Sequence, residues 1–483
     1  MSGGPRLVVV GGSDAGISAA LRARELDPDT DVTVVVADGY PNFSVCGIPY
    51  YVSGEVGHWS NLAHRTAADL KATGMRLRLN TRATAIDVDG HRLAVRDTDG
   101  GTETLSYDRL VVGTGAQPVR PPIEGLTGPQ ALGPEDGVHL LHTMDDTFAL
   151  TRTLERTGAR SALIVGAGYV GLEMAEALTT RGLTVHQVEM LPEVLATVDP
   201  ELGALVRAEL TGHGVQLDAG VVAHRIGPAP EGAAGRLRVE GHPVDAEGNG
   251  SARSWDVDLV LITVSVQPDT ELLLGAGAAT GARGAVTVDE GMATGLPDVW
   301  AAGDCVVTHH RLAGVTYLPL GTTAHKQGRV AGENAVGGAA RFAGSLGTQV
   351  VKVFDLVAAR TGLREHEAVV AGYRPVSTTT VADDHKAYYP GARPITIRVT
   401  GDADTGRLLG AQLVGARGTE TAKRVDTYAT ALFHGMTVDA VSALDLSYTP
   451  PLGSPWDAVQ LAAQAWVRDH APTRLSSGAG AAP

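Results

Sequence analysis

The chain has 483 residues, 43% of them hydrophobic and 19% charged, enough to bury a sizeable core and too apolar for a disordered chain. Its net charge of −15 argues against a broad nucleic-acid surface, and its 61 glycines follow no Gly-X-Y period. Only Cys46 and Cys305 occur, so a disulfide scaffold is excluded and a reducing, cytoplasmic setting is expected. The chain opens without the charged and apolar regions of a signal peptide and has no apolar run of membrane-spanning length.

Residues 6–26 read RLVVVGGSDAGISAALRAREL, an apolar strand, a glycine-rich turn and a helix of small residues. A strand at 32–36 follows, then the run NFSVCGIPYYVSGE at 42–55. Residues 74–112 are rich in short strands and end in YDRLVVGTGAQP. Residues 160–181, RSALIVGAGYVGLEMAEALTTR, repeat the opening pattern 155 residues later and are followed by a strand at 184–188. That spacing exceeds a solenoid repeat and predicts two separate dinucleotide folds. A polar, glycine-rich stretch at 226–254 reads as a long hairpin loop or insertion, and a strand at 259–264 follows. The run TGLPDVWAAGDC at 294–305 is a buried strand ending in an acid. From about 344 the texture changes to alternating strands at 350–354, 395–400 and 408–414, then helices at 419–434 and 455–468, then a loose Ala/Gly/Ser-rich tail. The fold class is therefore α/β: two Rossmann-like domains and a C-terminal α+β domain.

The second turn, Gly166-Ala-Gly168-Tyr169-Val170-Gly171, is a complete GxGxxG. Its glycines allow a tight turn, close approach of a pyrophosphate, and close helix–strand packing, while the helix N-terminus offers amides to phosphate. Glu189 ends the next strand 23 residues after Gly166, where a carboxylate binds a ribose 2′-hydroxyl and repels a 2′-phosphate. NADH is expected over NADPH, with NADPH still possible.

The first turn, Gly11-Gly12-Ser13-Asp14-Ala15-Gly16, has serine at the middle glycine position. Val36 stands where the ribose acid is expected, and Asp38 lies two residues later, as a ribose ligand or a solvated acid. Three later pieces support FAD in this fold: Thr114-Gly115 after a strand, Asp304 closing AAGD, and Leu320-Gly321-Thr322 opening a helix.

With these motifs in this order, the chain resembles the FAD-dependent pyridine nucleotide-disulfide oxidoreductases over about residues 6–460. The resemblance implies an FAD domain (1–118 with 285–343) interrupted by an NAD domain (119–284), an interface domain (344–470) with a tail at 471–483, and a homodimer whose partner completes the active site. It also implies a cofactor contact at Ala83. Classical members carry Cys-x4-Cys; here position 41 is Pro and position 51 is Tyr, so Cys46 stands alone. The run Asn42-Phe-Ser-Val-Cys46-Gly-Ile-Pro-Tyr50 looks like the single-cysteine branch of coenzyme A-disulfide reductases and NADH oxidases or peroxidases. The runs 384–392 (DHKAYYPGA) and 446–451 (LSYTPP) resemble coenzyme A-disulfide reductases, in which partner-subunit tyrosines approach the reactive sulfur.

On this resemblance Cys46 is the redox centre, Tyr388 and Tyr448 donate protons or hydrogen bonds, and Arg22, Asn42 and Lys71 contact substrate. Cys46 cycles either as a mixed disulfide with a small thiol or as a sulfenic acid made by an oxidant. Cys305 reads as a buried structural thiol. His309-His310 lack a third ligand at metal spacing, so no metal site is expected. The position of Asp14 often holds His in oxidases and peroxidases of this branch, which favours reduction of a coenzyme A-type or other low-molecular-weight disulfide or persulfide. An NADH oxidase or peroxidase, and a flavin redox sensor with little turnover, are the alternatives. Neither a nucleic-acid nor a membrane partner is expected.

Overall fold

The computed structural model describes residues 4–244 and 252–470. The expected tail at 471–483 and residues 245–251 of the 226–254 stretch lie outside the described residues. The chain forms two compact units. The larger comprises residues up to 190, 214–310 and 315–345; the smaller comprises 191–213, 311–314 and the chain from 346.

The larger unit holds two parallel five-stranded sheets. The first runs in the order Val299–Ala301, Arg109–Val112, Arg6–Val10, Asp31–Val35, Arg76–Arg78. The run Leu7-Val8-Val9-Val10 is buried throughout, as a strand covered on both faces requires. Helix Asp14–Leu26 buries its alanines 15, 19, 20 and 23 together with Gly16 and Ile17. Against it lies helix Gly321–Ala335. The two backbones approach so closely that a Cβ on Gly328 would sit 2.2 Å from Ala15 O, and one on Gly332 equally close to Ala19 O. The second sheet runs in the order Gln216–Ala219, Thr184–Glu189, Ser161–Val165, Leu259–Ile262, Val138–Leu140.

Two antiparallel meanders complete this unit: Thr81–Asp87, Arg92–Asp97, Thr102–Ser106, and Val221–Pro228, Leu237–Pro243, Arg253–Val257. The second places strands within the 226–254 stretch, expected as a long hairpin loop or insertion. Leu237, Val239, Trp255 and Val257 alternate inward along its strands and supply the core that a loop lacks.

The smaller unit is an antiparallel sheet in the order Gln349–Val353, Leu356–Gly362, Leu408–Ala416, Pro394–Asp402, Pro375–Asp383. Helices Thr421–Phe433 and Ala458–His470 share its core through Val425, Tyr428, Val459 and Trp466. Segment 191–213 joins this unit: Asp199 N donates to Gln412 Oε1 at 2.6 Å, and Arg360 donates to Thr197 O at 2.8 Å. Among the described residues no helix is long and apolar enough to cross a membrane.

Candidate active site

Both nucleotide turns sit at the C-terminal ends of their parallel strands, where open α/β sheets bind ligands. Gly11 (φ +114°) and Gly166 (φ +105°) occupy backbone conformations that favour glycine. A Cβ on Gly11 would meet Gly113 O at 2.1 Å, and one on Gly16 or Gly171 would meet its own turn's first carbonyl at 2.1 or 2.2 Å. The middle position differs. Ser13 (φ −102°, ψ −158°) and Gly168 (φ −80°, ψ −169°) are both extended, and nothing lies within 4 Å of a Cβ on Gly168. The fold therefore tolerates Ser13, and the first turn is intact despite its sequence.

The first cradle fits an FAD pyrophosphate. Gly12 lies under Val36, whose Cγ1 would be 2.4 Å from a Gly12 Cβ, and Asn42 N donates to Gly12 O at 2.6 Å. Asn42 is buried in the left-handed region (φ +59°), and its Oδ1 has no hydrogen-bond partner among the described residues. Such an orphaned acceptor calls for a bound donor, a hydroxyl or N–H of the cofactor and not its phosphates. Around the cradle, Thr114 Oγ1 donates to Asp269 O at 2.6 Å, Gly115 takes φ +76°, and Ala83 sits at a β-bulge. Leu320 caps helix Gly321–Ala335, which leaves Gly321 and Thr322 at its open end. Asp304 follows the edge strand, and burial, then the charge of Asp14, pushes its carboxyl up to about 6. Asp38 accepts from Tyr40 N at 2.8 Å, beside a ring cluster of Tyr40, Phe43, Trp59 and Phe148.

In the second turn, Glu189 Oε2 accepts from Ala167 N at 2.6 Å, so the acid is fixed against the glycine-rich loop. Tyr169 and Val170 open the helix that follows, and Val170 is exposed.

Cys46 lies in the 3-10 turn Val45–Gly47, which runs into helix Ile48–Ser53. Tyr50 Oη reaches Glu173 Oε1 at 3.5 Å and Arg181 donates to Val52 O at 2.9 Å, so this helix is tied to helix Tyr169–Thr180 behind the second turn. Cys46 is exposed, while Cys305 is fully buried against Val112 O and Ala302 O. Crowding by surrounding protein pushes the Cys46 thiol above its ordinary range, and Glu173, Asp14 and Asp304 add to the effect.

Arg22 is engaged by Glu333 at 2.6 Å and by Glu25 at 2.9 Å, whereas Lys71 is exposed on helix Ala67–Ala72. In the smaller unit Tyr388 and Tyr448 are exposed and hydrogen-bonded to each other, which pushes Tyr388 up. Lys386 N donates to Pro450 O, and the carbonyl of Asp384 accepts from Arg424 at 2.7 Å, so the two tyrosine-bearing runs are anchored together. Arg424 and His325 carry no motif signal; only contacts distant in sequence reveal them.

A family model described as pyridine nucleotide-disulphide oxidoreductase matches residues 5–328, and its dimerisation-domain companion matches 348–458. The chain belongs to the pyridine nucleotide-disulphide oxidoreductases. It is therefore an FAD-binding, pyridine nucleotide-dependent oxidoreductase that carries a dimerisation domain. It is 34% identical to the "NAD(P)H sulfur oxidoreductase (CoA-dependent)" of Pyrococcus furiosus, over 94% of this chain and 97% of that one. Identity to the "NADH oxidase" of Methanocaldococcus jannaschii is 32%, over 95% and 98%. The solved "NAD-Dependent Persulfide Reductase from A. fulgidus" superposes with a TM-score of 0.88 at 35% identity, over 96% of this chain and 83% of that chain.

Proposed function

We propose that this oxidoreductase uses NADH to reduce a low-molecular-weight disulfide or persulfide through Cys46. The observation that carries the reading is one exposed thiol, tied through its helix to the second nucleotide turn, with the other cysteine buried. Gly11–Gly16, Thr114, Asp304 and Gly321 hold FAD, which when bound relays two electrons from the nicotinamide to sulfur. Cys46 thiolate attacks one sulfur of RSSR, forming Cys46–S–S–R and releasing RS⁻, which takes up a proton. The two electrons from NADH then cleave the mixed disulfide, returning the Cys46 thiolate and a second RSH. The net change is NADH + H⁺ + RSSR → NAD⁺ + 2 RSH.

The working form we propose is a cytoplasmic homodimer, with the partner's tyrosine-bearing runs completing the site. The exposure of Tyr388 (73%), Leu452 (77%) and Trp456 (53%) on the smaller unit supports this, because exposed aromatics mark interfaces.

The test is anaerobic NADH oxidation with and without added disulfide. Cys46→Ser should retain FAD and lose disulfide-dependent turnover by at least about 10³-fold, as expected for loss of a nucleophile. Undiminished disulfide reduction in that variant refutes the thiol mechanism, and turnover that requires O2 or H2O2 in the wild type identifies an oxidase or peroxidase.

A further inference from the structure

In the smaller unit, helix Pro200–Gly212 ends beside the two-residue turn Phe354-Asp355, which joins strands Gln349–Val353 and Leu356–Gly362. Glu209, in the last turn of the helix, and His213, just beyond it, are one helical turn apart, so their side chains share a face. His213 Nε2 lies 3.2 Å from Glu209 Oε1. The same oxygen accepts from Asp355 N at 2.9 Å, which fastens the turn to the helix. One imidazole nitrogen and one oxygen of each carboxylate all lie within 4.8 Å of one another. The imidazole is held face to face with the Phe354 ring, centroids 4.0 Å apart and planes 2° from parallel. Glu209 is 23% exposed, His213 is 40% exposed and Asp355 is exposed, so solvent reaches the cluster.

We propose that Glu209, His213 and Asp355 form a binding site for a divalent transition metal of the zinc class. Tetrahedral zinc with bonds of ~2.0–2.1 Å sets neighbouring ligands about 3.3–3.4 Å apart, close to the separation of Nε2 and Oε1. A hydrogen bond accounts for that pair equally well, but not for the second carboxylate. Among the described residues neither Glu209 nor Asp355 pairs with a lysine or arginine, so two carboxylates converge on a single imidazole. A bound cation offsets their repulsion, and the C-terminal end of the helix, with its partial negative charge, favours a cation there too. Stacking on Phe354 fixes the imidazole before any ion arrives, so little freedom is lost on coordination. The donors select the ion. A neutral imidazole with two carboxylates suits zinc and its neighbours, and three protein ligands leave a position for water. Calcium takes about 6–8 oxygens, and magnesium prefers oxygen and dehydrates reluctantly. The ion cross-links the helix to the hairpin and stabilises the smaller unit. No local motif announces the site, because Asp355 lies 142 positions beyond His213, and His309-His310 take no part in it.

Isothermal titration of Zn²⁺ into untagged, FAD-loaded protein tests the site, in a Cys46→Ser background that removes the exposed thiol as a competing ligand. One Zn²⁺ per chain should bind, and His213→Gln and Asp355→Asn should each weaken binding at least about tenfold, the lower end for loss of a group that supports a metal. Saturating Zn²⁺ should raise Tm by roughly 2–4 °C or more in the background protein and by less than half as much in His213→Gln. Excess Mg²⁺ or Ca²⁺ should leave the zinc isotherm in place. Zn²⁺ isotherms that superimpose for the background protein, His213→Gln and Asp355→Asn show an adventitious ion only and overturn the proposal. So does the absence of any Zn²⁺ binding tighter than about 1 mM, or displacement of Zn²⁺ by equimolar Mg²⁺. If one variant fails to retain FAD, the other decides alone. The background already lacks Cys46, so the outcome is independent of the disulfide-reduction reading.

Discussion

Arg22 Nη2 lies 2.6 Å from Glu333 Oε2, and the same guanidinium holds Glu25 at 2.9 Å. Arg329 also pairs with Glu25, at 3.4 Å. Arg22, expected to contact substrate, is thus internally neutralised. A phosphorylated substrate reaches Arg22 only by displacing a carboxylate. Pantethine, the disulfide of coenzyme A's thiol arm without its phosphates, should accordingly give a kcat/KM at least equal to that of coenzyme A disulfide. Glu333→Gln should raise kcat/KM for coenzyme A disulfide by up to about fivefold, the ~1 kcal/mol ceiling of one exposed charge contact, and leave pantethine unchanged. A large wild-type preference for coenzyme A disulfide would show that Arg22 is not sequestered in solution.

Glu189 is fixed by the Ala167 amide at the end of its strand. A carboxylate held there repels a ribose 2′-phosphate. The kcat/KM ratio of NADH to NADPH should exceed about 10, and Glu189→Gln should narrow it by raising the NADPH value; the two coenzymes measured side by side decide it. Because the carboxylate also braces the turn, a small loss of Tm accompanies the change in preference.

Asp304 supplies a pH dependence with a definite sign. Its folded value, about 6, lies above its ordinary 3.8. The folded state therefore holds the proton more tightly, and the stabilisation this gives is present below pH ~4 and lost as pH rises through 6. Two units correspond to about 3 kcal/mol at most. In protein stripped of cofactor, Asp304→Asn should raise Tm at pH 7 and leave it unchanged at pH 4. Equal effects at both pH values would show that the carboxyl is not held protonated.

Arg424 is 8% exposed and makes a bidentate pair with Asp457, besides bonding the carbonyls of Thr419 and Asp384. Arg424→Ala leaves the largely shielded Asp457 carboxylate without its ion-pair partner, though still accepting from Val459 N, and should cost up to about 3 kcal/mol. It also frees the run bearing Tyr388. Thermal unfolding should fall by several degrees, whereas Asp457→Asn, which keeps a hydrogen-bonding amide, should cost less.

Strand–turn–helix units were legible in the sequence because apolar runs and glycine spacing are local signals. VVVGGSDAG and LIVGAGYVG became two strand–turn–helix units, and Ser13 was compatible because its backbone is extended, a dihedral property that letters do not display. The meander at 221–257 was less legible: polar and glycine-bearing runs such as 229–236 interrupt its strands, and their inward residues show only once paired. The site's second layer was not legible at all. His325 meets Ser18 across 307 positions and Arg22 meets Glu333 across 311, and no local pattern carries such a separation. Asn42 was expected to face substrate, yet its side chain is buried at the Gly12 turn, so its place among the substrate contacts stays a proposal.

The contact of Gly328 and Gly332 on Ala15 and Ala19 also governs the order in which this protein comes into being. The first strand and helix emerge from the ribosome with one edge of their sheet and one covering helix still unmade. Those arrive only with Val299–Ala301 and Gly321–Ala335. At roughly 5–20 residues per second, the wait is about 15–60 s. During it the apolar strand Arg6–Val10 lacks its full cover, while the strands of the second parallel sheet, which lie between 138 and 262, are already synthesised. Every strand of the second sheet is therefore synthesised before the first sheet receives its last strand and its second covering helix.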